Sequence, residues 1–225
     1  MKKSALVLLA MVMLFLGVPK QLNADTTWDV TSSFRSDNGN PNGVWSYGWR
    51  NYSQFQLYTS NGPDINGLPV WWGPLQYDGG VAPVIALNTT GSPINGVQPG
   101  QLALHPGPNG EASVLRWTAP VGVSGLGSIQ GQFLPGDAGI MQVGVFENGN
   151  WASPLWTGTD SGAFSISVPL TAGDTIDFAV YGGFGHGSTP LQATITAAPE
   201  PSTFVLLGFG AVGLLGFAWR RRKTA

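Results

Sequence analysis

The chain has 225 residues, with 10 Lys+Arg against 12 Asp+Glu and a formal net charge of −2. That near-neutral balance excludes a nucleic-acid binder, which needs a basic surface, and a hydrophobic share of 43% excludes a disordered chain. Thirty-three Gly and 17 Pro, scattered without a Gly-X-Y period, exclude collagen and weigh against a helix-rich fold.

Residues 1–24 read as a secretory signal. Lys2 and Lys3 precede an apolar run over Ala5–Val18, and Leu22-Asn23-Ala24 ends on the small residue that signal peptidase needs. The run has 14 residues, short of the ~20 needed to span a bilayer, which favours cleavage over an uncleaved anchor.

Residues 25–198 have the length of one domain with a single core. The segment contains no Cys, so packing alone must hold it. Its only cations are Arg35, Arg50 and Arg116, set against eleven acids, a net charge of −8. Such a surface should not adhere to anionic lipid or nucleic acid.

The pattern along this segment is β throughout. Strands are expected near Thr26–Ser33, Val44–Arg50, Phe55–Tyr58, Val70–Trp72, Val81–Leu87, Gln101–His105 and Ala112–Thr118. More follow near Gly127–Phe133, Met141–Phe146, Leu155–Gly158, Phe164–Leu170, Thr175–Val180 and Leu191–Thr196. Phe164, Ile166 and Val168 share one face of their strand, and Ile176, Phe178 and Val180 share one face of theirs. Asn-Gly occurs seven times, starting at Asn38, Asn42, Asn61, Asn66, Asn95, Asn109 and Asn148, and both residues tolerate positive φ. These mark turns. A dozen short strands with turn signals and no internal repeat predict an all-β, antiparallel, jelly-roll-like sandwich.

Little in the segment points to catalysis. His105 and His186 are the only histidines, and neither has a partner at metal-ligand spacing. No Cys nucleophile and no Gly-x-Ser-x-Gly elbow is present. Eleven scattered acids nominate no glycosidase pair. The expectation is therefore no enzyme and no metal. The loop Asn38–Gly43 spaces oxygens as a calcium loop does, but Trp49 stands where the twelfth-position Glu would be. A weak calcium site is the one cofactor candidate left.

The aromatics are more informative. Trp45, Tyr47 and Trp49 alternate and share one strand face, where filling a core is the favoured role. Trp71 and Trp72 are adjacent, so on a strand they face opposite sides and one of them leaves the core. Aromatic rings suit half-wet sites and can stack on sugar rings. The candidate glycan contacts are Trp71 and Trp72 with Tyr77, followed by Trp45 and Trp49.

After the sandwich, Pro199-Glu200-Pro201-Ser202-Thr203 leads into an uncharged run ending at Trp219, then Arg220, Arg221, Arg222 and Lys223. Residues 203–219 read as a transmembrane helix at the short end of the range, with the four cations as a cytoplasmic stop. Gly208, Gly210, Gly213 and Gly216 include no pair four apart, so no glycine dimer face is expected.

Residues 199–225 closely resemble the PEP-CTERM sorting domain: the Pro-Glu-Pro-Ser-Thr block, the short Gly-rich helix and the terminal Arg cluster occur in that order. The resemblance implies recognition of the tripeptide by exosortase in an exopolysaccharide-producing bacterium. It implies export, a membrane-anchored precursor, cleavage near Pro199–Pro201, and delivery to the cell surface or extracellular matrix. The segments Arg116-Trp117-Thr118-Ala119-Pro120 and Gly173-Asp174-Thr175-Ile176-Asp177-Phe178 also resemble a secreted bacterial module of the carbohydrate-binding sandwich type. The expected partners are signal peptidase and exosortase during export, the membrane before processing, and exopolysaccharide afterwards. The alternatives are a structural matrix protein without a ligand and a glycan hydrolase.

Overall fold

The structure is a computed structural model, and it describes residues 26–51, 54–64, 66–77, 80–199, 210, 211, 213, 214 and 219. The expected signal peptide (1–24), the Glu200–Thr203 part of the sorting signal and the basic stop (220–223) lie outside the described residues. So does most of the expected span over 203–219. Its five described residues are helical, and among the described residues no helix is long and apolar enough to cross a membrane. Residues 25–198 form one compact unit.

The compact unit holds fourteen strands among the described residues. They are β1 (Thr26–Asp29), β2 (Trp45–Asn51), β3 (Gln54–Leu57), β4 (Ser60–Pro63), β5 (Pro69–Tyr77), β6 (Gly80–Leu87) and β7 (Leu102–His105). The second half adds β8 (Ala112–Thr118), β9 (Val123–Phe133), β10 (Gln142–Glu147), β11 (Trp156–Thr159), β12 (Gly162–Thr171), β13 (Thr175–Tyr181) and β14 (Thr189–Pro199). Thirteen of them fall on the expected runs. The exception is β4, whose Ser-Asn-Gly-Pro sequence lacks any apolar alternation and reads as a turn. It is a short edge strand, where polar residues and Pro are tolerated.

Two sheets result. One runs β12-β9-β14-β7-β6-β5-β4, with β1 also paired to β14. The other runs β11-β10-β13-β8-β2-β3. Every pairing whose register is described is antiparallel. The architecture is an all-β sandwich.

Period-two alternation sends one face of each sheet inward. From the six-stranded sheet, Tyr47, Leu115, Trp117, Val143, Phe178 and Val180 enter the core. From the eight-stranded sheet, Trp71, Ile85, Leu104, Ile129, Phe133 and Ile195 meet them. Aromatic pairs join the two layers: Tyr47 stacks on Trp71 with centroids 6.2 Å apart, and Phe133 stacks on Trp156 at 6.0 Å. A polar bridge crosses the same gap. Ser113 Oγ donates to the Val84 carbonyl (3.0 Å) and pairs with the Tyr58 hydroxyl (2.9 Å). Without disulfides, this packed aromatic core is what specifies how the two sheets meet.

The outer face of the six-stranded sheet carries a second, smaller cluster. Gly48 and Gly144 leave room for the rings of Phe55 and Phe146 to lie on the sheet, and Trp151 stacks on Phe146 at 4.2 Å. Arg50 lies over Trp151 and Arg116 over Phe55. Arg116 also forms a two-point ion pair with buried Asp177, at 2.6 and 2.8 Å.

Candidate functional site

The two neighbouring tryptophans of β5 separate as strand geometry requires. Trp71 pairs with Ile85, which pairs with Leu104, and all three are buried in the core. The Trp71 indole N–H donates to the Arg35 carbonyl at 2.7 Å. Trp72 pairs with Val84, and Val84 with His105, so these three share the outer face of the same sheet. Trp72 stays half-buried, its ring against the glycine backbone of Gly62 in β4. The register of β5 shifts just after it, a β-bulge of the kind that re-aims side chains.

Around this row lies a cleft of about 510 Å³. Trp72, Val84, Ala86, Ala103 and His105 form its floor across β5, β6 and β7. Four loops form three walls, contributing Asp64 and Asn66, then Asn88, Asn95 and Val97, then Asp137 from the β9–β10 connection together with His186 and Ser188 from the β13–β14 connection. The lining thus combines one large aromatic ring with amides, a hydroxyl, two carboxylates and two imidazoles.

Local hydrogen bonds hold each wall in place. Asp64 Oδ1 accepts from the backbone N–H groups of Asn66 and Leu68, both at 2.8 Å. Buried Asn88 donates Nδ2 to the carbonyls of Ser92 and Val97, and its Oδ1 accepts from Thr90. Asn95 and Gly96 both have positive φ, and Ile94 and Val97 exchange two backbone hydrogen bonds around them, closing a two-residue hairpin. Gly96 lies so close to Gly136 that a Cβ there would sit 2.1 Å from the Gly136 oxygen, so glycine is what lets these two walls meet.

The third wall is clasped by histidines. Nδ1 of His105 lies 2.8 Å from the Pro106 carbonyl, which as an acceptor fixes the proton on Nδ1. Nε2 is left to accept the Gly187 N–H at 3.3 Å. Burial pushes the His105 pKa below its ordinary value, the Pro106 carbonyl and Asp137 oppose that shift, and His186 adds to it. Phe184 packs edge-on against the His105 ring. His186 sits at φ +58° with Nδ1 3.3 Å from Asp137 Oδ2, while Asp137 Oδ1 accepts the Ala138 N–H.

The candidate glycan contacts disperse. Among the candidates whose side chains are described, Trp72 alone lines the cleft. Trp71 and Trp45 are core residues at 4% and 2% exposure, so neither offers a ring to a ligand. Trp49 is half-buried and packs against the core from β2. Tyr77 ends β5 opposite Gly80, and its side chain lies outside the described residues. In the candidate calcium loop, the Asn40 amide is already committed. Its Nδ2 donates to the carbonyls of Tyr47 and Tyr58, and its Oδ1 accepts from the Tyr47 N–H. Among the described residues no three His, Cys, Asp or Glu side chains gather as a metal would need.

Sequence reasoning left Asp64, His105, Asp137 and His186 out of the candidate set. They come from four separate loops or strand ends, so no spacing in the chain connects them.

Among solved structures, the chain is similar to a family 35 carbohydrate binding module from Clostridium thermocellum (14% identity, 42% of this chain and 76% of that one, TM-score 0.31). It is also similar to the CBM35 from Paenibacillus barcinonensis (13% identity, 78% of this chain and 99% of that one, TM-score 0.30). No curated protein matches the chain. Residues 197–223 match the model of the PEP-CTERM protein-sorting motif, which overlaps the Pro-Glu-Pro block, the apolar run and the Arg cluster. The chain carries a PEP-CTERM protein-sorting motif at its C-terminal end, a motif that implies export and exosortase processing.

Proposed function

We propose that this is a non-catalytic, surface-sorted protein whose sandwich contacts polysaccharide through the Trp72 cleft. Signal peptidase removes residues 1–24, and the span 203–219 with its basic stop holds the precursor in the membrane. Exosortase then cuts near Pro199–Pro201, and the jelly-roll-like domain passes to the cell surface or matrix. The contact uses no cofactor.

One observation carries the polysaccharide reading: a partly exposed tryptophan on the apolar floor of a cleft whose walls carry amides, a hydroxyl and carboxylates. A flat ring covers the C–H face of a sugar, and Asn66, Asn95 and Ser188 can bond its hydroxyls. The volume falls in the range of about 300–1,000 Å³ usual for ligand sites.

The test is a binding survey with the full-length chain in mild detergent, using polysaccharide pull-down and tryptophan fluorescence. Binding to at least one polymer is expected, with loss of at least about tenfold in affinity on Trp72→Ala. Failure to bind any polymer overturns the contact and leaves a structural matrix role. Release of reducing ends from a bound polymer overturns the non-catalytic reading.

A further inference from the structure

We propose that the cleft selects a polysaccharide of amino sugars bearing free ammonium groups, over neutral and uronate-bearing polymers. This rests on the reading of the cleft as a polysaccharide contact and names the chemistry of its ligand.

The argument begins with charge. The domain of residues 25–198 contains no Lys and carries a net charge of −8. None of its three arginines is among the described residues lining the cleft. Arg35 donates to the carbonyls of Ser32 and Phe34. Arg50 and Arg116 lie on Trp151 and Phe55, on the outer face of the opposite sheet, and Arg116 is paired with Asp177. None of the described residues lining the cleft is Lys or Arg. A uronate would therefore enter a negative field with no guanidinium or ammonium to receive it.

An ammonium group meets the reverse situation. Asp64 and Asp137 stand on two of the three walls. Both are placed by backbone N–H groups, which occupy one oxygen of each. The second oxygen of Asp137 lies 3.3 Å from Nδ1 of the solvent-exposed His186, and that of Asp64 accepts from Asn66 Nδ2 at 3.5 Å, so each carboxylate has room to accept a further donor. The floor adds the Trp72 face, which attracts a cation as well as a sugar C–H surface. An amino-sugar repeat presents both together: an apolar ring face for the indole and a charged substituent for the carboxylates.

The probes are β-linked hexosamine oligomers with free amines, the same oligomers N-acetylated, and uronate oligomers of equal length. Each is titrated against the full-length chain in mild detergent. The free-amine oligomer should bind roughly tenfold more tightly than its acetylated form at low salt, about the size of one charge contact near a protein surface. That preference should shrink in high salt. Asp137→Asn should reduce it, lowering the free-amine oligomer's affinity by a larger factor than the acetylated oligomer's. Trp72→Ala, which alters no charge, should weaken both.

Equal or tighter binding of the acetylated oligomer overturns the selection for amines but leaves the polysaccharide contact standing. Tighter uronate binding overturns the selection likewise. Amine binding that persists unchanged in Trp72→Ala would mean adsorption to the acidic surface at large, and it overturns the cleft as the seat of selection. Failure of all three probes, with binding to another neutral polymer, overturns the selection alone. Failure with every polymer removes both readings.

Discussion

Two adjacent residues, Trp71 and Trp72, show how much a single position along β5 decides. One faces the aromatic core and the other faces the cleft. Trp71 stacks on Tyr47 across the two sheets and spends its N–H on the Arg35 carbonyl. Trp71→Ala would remove a buried indole and leave a cavity between the sheets, a loss of about 3–5 kcal/mol. The expected outcome is a large fall in denaturation midpoint, whereas Trp72→Ala, which empties a half-exposed position, should shift it far less. Equal destabilisation by the two substitutions would mean that the inside and outside faces of β5 had been misassigned. This separation was legible in the sequence, because strand periodicity sends neighbours to opposite faces. Which of the two turned outward was not, because that depends on the register of β5 against β6 and β7.

At the scale of strands and loops, the sheets follow from alternation and from Asn-Gly punctuation. All seven Asn-Gly glycines have positive φ, and six of them lie between strands, three in turns, two in bends and Gly39 in irregular chain. The seventh, Gly62, lies within β4, where a polar edge strand gave no periodic signal. The cleft was illegible for a different reason: its walls are loops fixed by tertiary contacts between residues far apart in the chain. The loop at Gly187 illustrates this, since it is tied to the end of β7 by the His105 imidazole. That tie makes it pH-dependent. Burial holds the folded-state pKa of His105 below its usual value near 6.5, so the neutral ring is favoured in the folded protein. As pH falls below that unfolded value, the unfolded chain takes up the proton first. The stabilisation is therefore complete above about pH 6.5 and is lost as pH falls from there toward the folded-state pKa. Denaturation midpoints measured from pH 8 to pH 5 should decline for the native protein and flatten in His105→Gln. A slope of the same size in the variant would assign the acid sensitivity to other groups. Asp174 cannot supply it: hydrogen bonds from Thr171 lower its pKa from 3.8, so its contribution is lost only as pH falls below that value.

For the whole molecule, charge and destination are linked. Seven of the ten cations lie in residues 1–24 and 199–225, and eleven of the twelve acids lie between them. Removing both ends therefore converts a chain of net charge −2 into a domain of −8. Processing should be visible in two independent ways, as a loss of mass and as a shift to a lower isoelectric point. Glu200 is the residue to test, because it is the one charge in the Pro-Glu-Pro-Ser-Thr block. In Glu200→Gln the signal peptide should still be removed, since nothing at the N-terminus has changed. The C-terminal segment should remain, so the protein should stay in the membrane fraction with its four terminal cations and the higher isoelectric point they give. The native chain should appear outside that fraction in the trimmed, acidic form. If Glu200→Gln yields the same mass, charge and fractionation as the native chain, recognition does not run through the carboxylate. Exosortase sorting by this block would then be overturned, while the sandwich and its cleft would be untouched.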